Sequence, residues 1–309
     1  MSNFRPLKAP SKGIPDDFLL KLIFPLMVSP KYDGLRVLNR DGAKTSSLKP
    51  VRNLYTNSSV SHITLQGFDG EMLVGDGADP KGFSKATSAV MAREGIYDII
   101  WQVFDICDMN RDIPYTERYA ELKLRITRLS KEHAFVRLVH HEIMNSLEEL
   151  LEYEKYILAA GYEGAMLRSL DGIYKYDRST MNQQILLKLK RGHEKRADAI
   201  VIGFNERMHN NNPAYINERG LTQRSSNKEN MMPMGMLGSF QVRDVDTGKE
   251  FSIGMGVEGT MDDAFRIEVW NNQEEYLAKV IRYQWFDYGG YDLPRFPKFI
   301  SFRHPEDMS

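Results

Sequence analysis

The chain has 309 residues, of which 42% are hydrophobic and 27% are charged, and its formal net charge is −1. The composition is that of an ordinary globular protein, the length fits two domains of roughly 150 residues, and the overall charge gives no indication of a nucleic-acid partner. The single cysteine, Cys107, excludes an internal disulfide and fits a reducing compartment. The chain begins without the apolar run of a secretory signal, and its longest apolar stretch, 19–28, is interrupted by Lys21 and Pro25. We therefore expect a cytoplasmic protein without a membrane partner.

Positive charge is concentrated in two segments. Residues 31–56 contain six Lys and Arg against two acids, and residues 175–196 contain seven against two. Such clusters are typical of a surface that follows phosphates, although solvated polar faces have the same composition.

The first half of the chain mixes predicted strands with predicted helices. Strands are expected at 35–38, before the turn Asp41-Gly42, and at 63–65 and 97–104, which are rich in β-branched and aromatic residues. Helical spacing of apolar residues predicts a helix over about 116–129. A second helix is predicted from Ser146 to Gly161, with Glu149 completing a capping box. This irregular order indicates an α+β fold.

After Lys190 the pattern changes to short strands. The all-polar stretch 191–196 suits a linker, and the turn 246–249 joins two strands into a hairpin. One helix is expected after Thr260, with Asp263 in its capping box. The predicted strands are 199–204, 238–243, 250–254, 279–286 and 299–303. Four or five strands with one helix favour a small barrel such as an OB-fold. Residues 205–233 contain seven asparagines and no apolar period, so they are either disordered or a functional loop.

The sharpest local pattern runs from Lys31 to Arg36 as Lys-Tyr-Asp-Gly-Leu-Arg. A lysine amine attacks an α-phosphate only when it is neutral, so a nucleophilic lysine needs surroundings that lower its pKa. The spacing places two charged groups on one strand face, and Gly34 permits close approach of another backbone. Taken alone, the pattern favours a functional lysine, with ordinary surface charge as the alternative.

A second pattern is Leu186-Leu187-Lys188-Leu189-Lys190. With a period of two, both lysines share one face of a strand while Leu187 and Leu189 face the core. Two adjacent lysines suit a triphosphate, and they are expected to lower the pKa of a nearby Lys31. The alternative is an amphipathic edge strand with its lysines in water.

Glycine-flanked carboxylates form the third pattern: Asp69-Gly70-Glu71 and Glu163-Gly164. Carboxylates of this kind hold Mg²⁺ or a ribose hydroxyl, although both dipeptides are also common in turns. Phe104 offers a flat ring to a base, but phenylalanine in a strand is more often part of the core.

The order of these patterns resembles the covalent nucleotidyltransferase superfamily of DNA ligases, RNA ligases and capping enzymes. The resemblance covers nearly all the chain. Segments 235–243 and 295–303 look like the C-terminal OB domain of ATP-dependent DNA ligases, and the layout is similar to the small two-domain ligases of tailed bacteriophages. It implies a nucleotidyltransferase (adenylation) domain at 1–192, with antiparallel sheets and flanking helices. An OB-fold β-barrel follows at 193–309, with a long loop at about 205–234.

The resemblance also implies roles for individual residues. Lys31 would be the nucleophile that carries AMP, Phe104 would stack on adenine, and Glu163 would bind Mg²⁺, with Glu71 as a second metal ligand. Lys188 and Lys190 would contact the α-phosphate. The remaining nucleotide contacts implied are Ser29, Asp33, Arg36, Arg52, Glu71 and Arg178, with Arg295, Lys298 and Arg303 orienting pyrophosphate.

The activity implied is sealing of nicked double-stranded DNA with ATP as substrate, in replication, repair and recombination. We expect a monomer that acts in the cytoplasm, or in the host cytoplasm if a phage encodes it. The segment 191–196 would be a hinge for the OB domain. Two positions depart from many relatives, which have arginine where this chain has Ser46 and Ser301; Lys49 or Arg52 is expected to replace the former.

Only 30 residues precede Lys31 here, so we expect no separate N-terminal DNA-binding domain and expect the loop 205–233, with its basic residues, to help hold the duplex. Those residues are Arg207, Arg219, Arg224 and Lys228. The alternatives are an RNA ligase or GTP-using capping enzyme of the same superfamily, and a non-catalytic OB-fold protein that binds nucleic acid.

Overall fold

In the computed structural model of the protein, the described residues are 4–75, 82–129, 131–191, 194–257, 259–286 and 293–303. The chain divides into two compact units. The first comprises Met1–Gly192 and Glu218–Gly220, and the second comprises His193–Asn217 and Leu221–Ser309. None of the helices within the described segments is long and apolar enough to cross a bilayer.

The first unit contains two β-sheets with helices packed on them. Its strands are β1 (Leu26–Pro30), β2 (Leu35–Asn39), β3 (Ala43–Thr45), β4 (Phe68–Val74), β5 (Ile99–Ile106), β6 (Val136–Leu138), β7 (Glu142–Met144), β8 (Ala165–Ser169) and β9 (Leu186–Leu189). Its α-helices are α1 (Leu54–Val60), α2 (Gly82–Met91), α3 (Tyr115–Leu129) and α4 (Leu147–Ala159). One sheet has the order β3-β2-β4-β5-β6 and the other β7-β1-β8-β9, and their pairings are antiparallel except β5 with β6.

Each sheet has its own apolar core. In the five-stranded sheet, alternation along β5 buries Trp101 and Val103 beside Leu122 of α3, whereas Phe104 is on the opposite face. In the four-stranded sheet, Leu167 and Leu187 pack with α4. This period-two alternation is what orients polar side chains of the same strands away from the cores.

The cap of α4 is confirmed, but the predicted strand at 63–65 is wrong. The Ser146 hydroxyl accepts from the Glu149 amide at 3.3 Å, and the Glu149 carboxylate accepts from the Asn145 amide at 2.8 Å. Residues Ile63–Leu65 instead form a short 3₁₀ helix. Three residues closed by Gly67 at φ +86° satisfy their backbone groups locally rather than in a sheet.

The second unit is mainly antiparallel sheet. Its strands are β10 (Glu194–Asn210), β11 (Ala214–Ile216), β12 (Thr222–Arg224), β13 (Met231–Asp244), β14 (Glu250–Ile253), β15 (Met255–Gly256), β16 (Val280–Phe286) and β17 (Arg295–Phe302). Two helices, α5 (Asp263–Asn271) and α6 (Gln273–Tyr276), are present. The main sheet has the order β14-β13-β10-β16-β17-β15. Its hydrogen bonds, over the described residues, form no closed ring, so the expected closed barrel is not found.

Two predicted boundaries in this half of the chain are corrected. The expected linker 191–196 is already structured on both sides: Arg191 pairs with the buried Glu154, and β10 begins at Glu194. The helix α5 is capped by Asp262, whose carboxylate accepts from the Phe265 amide at 2.8 Å, rather than by Thr260. Thr260 instead donates to the Phe299 carbonyl at 3.2 Å.

The asparagine-rich segment is largely ordered strand and turn rather than one long loop. Strands β10 and β13 pair as far as Asn210 opposite Met231, and β11 pairs with β12 in a small hairpin between them. The buried Asn212 amide donates to the carbonyls of Ser225 and Asn227 at 3.0 and 2.8 Å. Asparagine side chains therefore organise this segment by hydrogen bonds, which explains why it has no apolar period.

The four-stranded sheet depends on the packing of Leu167, which is fully buried in β8. We expect Leu167→Ala to lower the free energy of unfolding by about 2–5 kcal/mol, because it leaves a cavity that the sheet cannot collapse. Chemical denaturation followed by circular dichroism measures this. Leu20→Ala is the matched control, since Leu20 is 84% exposed, and should change stability by less than about 0.5 kcal/mol. Equal effects of both variants would contradict this account of the core.

Candidate active site

A cavity of about 400 Å³ lies between the two sheets of the first unit. Both sheets and the N-terminal segment contribute to its walls. Its lining residues are Lys8, Ala9, Ser29, Pro30, Lys31, Tyr32, Arg36, Ser46, Glu71, Phe104, Val139, Met166, Arg168, Leu186 and Lys188. Six of the residues predicted for the site from the sequence are therefore in one cavity: Ser29, Lys31, Arg36, Glu71, Phe104 and Lys188. Ser46, noted as a departure from relatives, also lines it.

The centre of the site is an ion-paired cluster of Lys31, Glu163 and Lys190. Each lysine amine donates to one oxygen of the Glu163 carboxylate, which is only 3% exposed. Burial by itself would raise the pKa of Glu163, but the charges and hydrogen bonds of the two lysines lower it to about 2. Glu163 is therefore an anion that holds two cations in fixed places.

The backbone locks Lys31 and Glu163 in register. The Lys31 amide donates to the Gly164 carbonyl at 2.7 Å, and the Glu163 amide donates to the Lys31 carbonyl at 3.2 Å. Gly164 has φ +142°, and a Cβ there would lie 2.2 Å from the Leu189 carbonyl oxygen. Only glycine allows β1, β8 and β9 to approach so closely here.

The pKa of Lys31 shifts opposite to the direction expected from its lysine neighbours. Burial lowers it, but the charge and hydrogen bond of Glu163 outweigh burial, and Glu71 and Asp33 add to the effect, so the pKa is raised. The sequence prediction considered the charges of Lys188 and Lys190 but not that of the Glu163 carboxylate. Lys31 is consequently a protonated, paired amine in this state of the protein.

Arg36 is held in place by the buried carboxylate of Asp69. Its guanidinium donates to both oxygens of the buried Asp69, at 2.8 and 2.5 Å, and to the Leu7 carbonyl at 2.5 Å. Tyr174 donates to the same Asp69 at 2.9 Å. Gly34 permits this packing, because a Cβ there would lie 2.3 Å from the Met72 carbonyl oxygen. Asp69 is thus an orienting residue for Arg36.

Two further acids, Glu71 and Asp33, act on the charge of Lys31. Burial raises the pKa of Glu71 to about 7 despite the opposing charges of Lys31 and Arg36. Glu71 is in register with Arg36 across β2 and β4. Asp33 is 5% exposed. A carboxyl group with a pKa near neutrality is characteristic of a functional site.

Phe104 is flanked by two guanidinium groups. Those of Arg36 and Arg168 each lie 5.3 Å from the centre of its ring. Arg168 is itself held by the buried Asp105, which accepts at 2.9 Å and also pairs with Arg118. This paired network fixes the wall of the cavity around an aromatic ring.

Beneath that wall lies a buried histidine. His141 shares a hydrogen bond of 3.0 Å with the Tyr115 hydroxyl, which donates to the Phe104 carbonyl at 2.7 Å. The other ring nitrogen lies 3.1 Å from the Val139 carbonyl. Burial, followed by the charge of Arg168, lowers the pKa of His141 to about 3, so the ring is neutral.

On the remaining wall, Lys188 projects from β9 while Leu187 and Leu189 are fully buried, as the alternation predicts. Its amine donates to the Ser11 carbonyl at 2.7 Å, and burial together with Lys31 and Lys190 lowers its pKa. Ser29 is 3% exposed on β1. These residues place polar groups opposite Phe104.

Other predicted site residues lie elsewhere. Arg52 is exposed ahead of α1 and does not line the cavity, and Arg178 donates to the Ala9 carbonyl at 2.6 Å. Arg295, Lys298 and Arg303 belong to the second unit, where Arg303 pairs with Asp198 at 3.4 Å. The structure brings none of these five into the cavity lining.

Two charged residues of the cavity, Arg168 and Lys8, were not predicted from the sequence. Arg168 follows Glu163 by five residues, and the alternation of β8 beyond Glu163-Gly164 was a signal for it. Lys8 lies in an N-terminal segment that matches no periodic pattern. Only folding shows that this segment passes the cavity.

The first unit, with a half-buried lysine paired to a buried carboxylate beside a cavity between two sheets, is an adenylation domain of the nucleotidyltransferase class, and an OB-like domain follows it. Residues 8–190 match the family described as ATP dependent DNA ligase domain, and residues 231–303 match the DNA ligase OB-like domain. The chain therefore belongs to the ATP-dependent DNA ligase family, as the sequence predicted. These matches do not favour the RNA ligase, capping enzyme or non-catalytic alternatives.

Individual relatives agree with this assignment. The chain is similar to the DNA ligase–adenylate of Chlorella virus, with 30% identity, a TM-score of 0.54, and coverage of 99% of this chain and 100% of that one. A Lig E DNA ligase shares the fold, with a TM-score of 0.65 at 18% identity and coverage of 98% and 100%. The DNA ligase of Thermococcus onnurineus is 25% identical over 194 residues, which is 55% of this chain and 34% of the relative. The match thus spans about a third of that curated relative's length.

The neutral His141 makes stability depend on pH. In the unfolded chain a histidine takes up a proton below its ordinary pKa of 6.5, whereas the folded protein does so only near 3. Stability is therefore lost as pH falls below 6.5, by about 2 kcal/mol between pH 6.5 and 5. We expect His141→Gln to lose this part of the acid sensitivity, measured as the free energy of unfolding at both pH values. The exposed His209→Gln should keep it, and identical pH profiles for wild type and His141→Gln would contradict the assignment.

Proposed function

We propose that this protein is an ATP-dependent DNA ligase that transfers AMP from ATP to Lys31 and then to the 5′-phosphate of nicked duplex DNA. The observation that carries the proposal is the Lys31–Glu163–Lys190 cluster at the base of a nucleotide-sized cavity, in a chain of this family. The activity belongs to DNA replication, repair and recombination. One chain supplies every residue invoked, so we propose a monomer.

Three displacements at phosphorus make up the reaction. The neutral Lys31 amine forms a bond to the α-phosphorus of ATP as the bond to pyrophosphate breaks, and its nitrogen then loses a proton to solvent. An oxygen of the nick 5′-phosphate next bonds to the phosphorus of AMP, and the lysine leaves with a proton taken from solvent. Finally the 3′-hydroxyl attacks that 5′-phosphorus, AMP leaves, and the proton of the hydroxyl passes to solvent. Such steps require mainly position and positive charge from the protein.

The cavity supplies both. We assign Phe104 to the adenine face, and Ser29, Asp33, Arg36 and Glu71 to the nucleoside. Support comes from their place around the cavity or, for Asp33, from burial two residues beyond Lys31. Lys188 lines the cavity and is assigned to the α-phosphate, with Lys190 behind it on Glu163.

Magnesium is proposed at Glu163 and Glu71. Glu163 pairs with Lys31, and Lys31 and Glu71 line the same cavity. Mg²⁺ is commonly held by one or two carboxylates plus substrate phosphates. Within the described residues no group of three or more His, Cys, Asp or Glu could hold a metal, so phosphate oxygens and water must complete its shell. When bound, the cation offsets phosphate charge and competes with Lys31 for the carboxylate.

The pairing with Glu163 requires that Lys31 lose a proton before attack. While the Glu163 carboxylate is paired with the Lys31 amine, it stabilises the charged form of the amine and raises the pKa of Lys31. Lys188 and Lys190 act in the opposite sense by positive charge. The amine becomes nucleophilic when the hold of Glu163 on its proton is weakened.

The segment 205–233 is proposed to contact the DNA duplex. Its β11–β12 hairpin is exposed, and the segment contains Arg207, Arg219, Arg224 and Lys228. Arg224 donates to the Asn212 carbonyl and Arg207 pairs with Asp263 at 2.7 Å, so these two also stabilise the protein. Phosphate contacts by such residues position a protein on DNA without reading its sequence.

The covalent intermediate tests the proposed function. We expect labelled ATP and Mg²⁺ to produce an AMP adduct that survives denaturing electrophoresis in the wild type, and none in Lys31→Ala, because the variant lacks the nucleophile. Lys12→Ala, at an exposed lysine, should be labelled normally. Glu163→Ala should lose labelling while retaining affinity for nicked DNA. An unlabelled wild type, or labelling from GTP instead of ATP, would refute the proposal.

Replacing residues 211–230 by an Asn-Gly turn tests the role of the segment. Asn210 and Met231 are paired, so a two-residue turn preserves β10 and β13. We expect affinity for nicked DNA to fall roughly tenfold and its salt dependence to weaken, by up to about 0.9 in slope per lost phosphate contact. AMP labelling of Lys31 serves as the control and should not change. Unaltered affinity and salt slope would exclude this segment from DNA binding.

A further inference from the structure

Lys8 lines the cavity but belongs to none of the patterns that identify the site. Its backbone is fixed: the Lys8 amide donates to the Asp177 carbonyl at 2.9 Å, and the Ser179 amide donates to the Lys8 carbonyl at 2.7 Å. The neighbouring carbonyls of Leu7 and Ala9 accept from Arg36 and Arg178. The Lys8 side chain is therefore presented to the cavity from a segment held on both sides.

Most cations around the cavity are already paired. Lys31 is paired with Glu163, and Arg36 and Arg168 are paired with Asp69 and Asp105. Lys8 and Lys188 differ, because neither forms an ion pair with a carboxylate among the described residues. A cavity with two such lysines is complementary to an anion.

The surroundings of Lys8 oppose its charge. Burial lowers the pKa of Lys8 to about 8, and the charges of Arg219, Arg36 and Arg178 act in the same direction, against that of Asp177. A bound phosphate would relieve this repulsion, since a charge-assisted hydrogen bond to an anion favours the protonated amine. The half-buried position of Lys8 is thus unfavourable for the empty protein and favourable for a complex.

Lys8 lies at a different end of the cavity from the nucleophile. The Lys31 amine is bound to Glu163, whereas the segment around Lys8 is bound to residues 177–179 and to the Arg36 guanidinium. Lys188 joins the two ends: its amine donates to the Ser11 carbonyl, three residues from Lys8, and Lys190, two residues further on, donates to Glu163. The cations from Lys31 through Lys188 to Lys8 form a path along which consecutive phosphates fit.

In-line displacement places two phosphate groups, one after the other, at the end of the cavity away from Lys31. Pyrophosphate leaves the α-phosphorus on the side opposite Lys31. In the next step Lys31 is itself the leaving group, so the 5′-phosphate of the nick enters on that same side. We propose that Lys8 binds phosphate at this position, first the departing pyrophosphate and then the nick 5′-phosphate. This inference rests on the proposed function.

The experiment separates the two phosphates. In one arm, the purified enzyme–AMP adduct is incubated with pyrophosphate, and re-formation of ATP is followed against pyrophosphate concentration. In the other arm, the same adduct transfers AMP to a 5′-phosphorylated nick in a single turnover. Lys8→Ala and Lys8→Met are compared with Lys8→Arg, which keeps the charge, and with Lys12→Ala, an exposed lysine on the same segment.

We expect Lys8→Ala and Lys8→Met to need about tenfold more pyrophosphate and to transfer AMP about tenfold more slowly. Lys8→Arg should retain most of both activities, and Lys12→Ala all of them. A loss in one arm alone assigns Lys8 to that phosphate. Wild-type behaviour of Lys8→Met in both arms, with an intact melting temperature, overturns the inference. A wild type that forms no adduct refutes the proposed function and this inference with it.

Discussion

The site depends on the ion pairs that the Glu163 carboxylate forms with Lys31 and Lys190. Removing a carboxylate from water is costly unless cations compensate, and here Lys31 and Lys190 each take one of its oxygens. The same arrangement fixes the position of Lys31 and keeps it protonated. In the proposed reaction, the Lys31 amine is held in place and stays protonated until another positive charge competes for Glu163.

Around this cluster, the cavity is built from buried ion pairs whose acids lie behind the wall. Asp69 orients Arg36, and Asp105 orients Arg168 on the two sides of Phe104. Pairing satisfies the buried charges, so the wall is ordered before a nucleotide arrives. Such preorganisation is what positional catalysis requires. Lys8 and Lys188, which have no such carboxylate among the described residues, are the positions where a ligand's charge contributes most.

The second unit achieves order in a different way. Its main sheet has an aromatic core around Phe240 and Phe299, whose ring centres lie 5.6 Å apart. The segment between β10 and β13 instead relies on amide hydrogen bonds centred on Asn212. A polar segment held in this manner keeps its backbone ordered while its side chains remain exposed, which suits contact with a charged, hydrated surface such as DNA.

The sequence by itself determined the Lys31 motif, the alternation of the Lys188 strand and the cap of α4, because residue type and period-two burial are local properties. It did not determine which charges meet. Lys31 and Glu163 are 132 positions apart, and their pairing, which reverses the expected pKa shift of Lys31, arises when β1 and β8 align. The positions of Lys8 and Arg168, the extent of β10, and the open order of the second sheet were likewise decided by tertiary packing, since long-range pairing and burial leave no periodic trace in the chain.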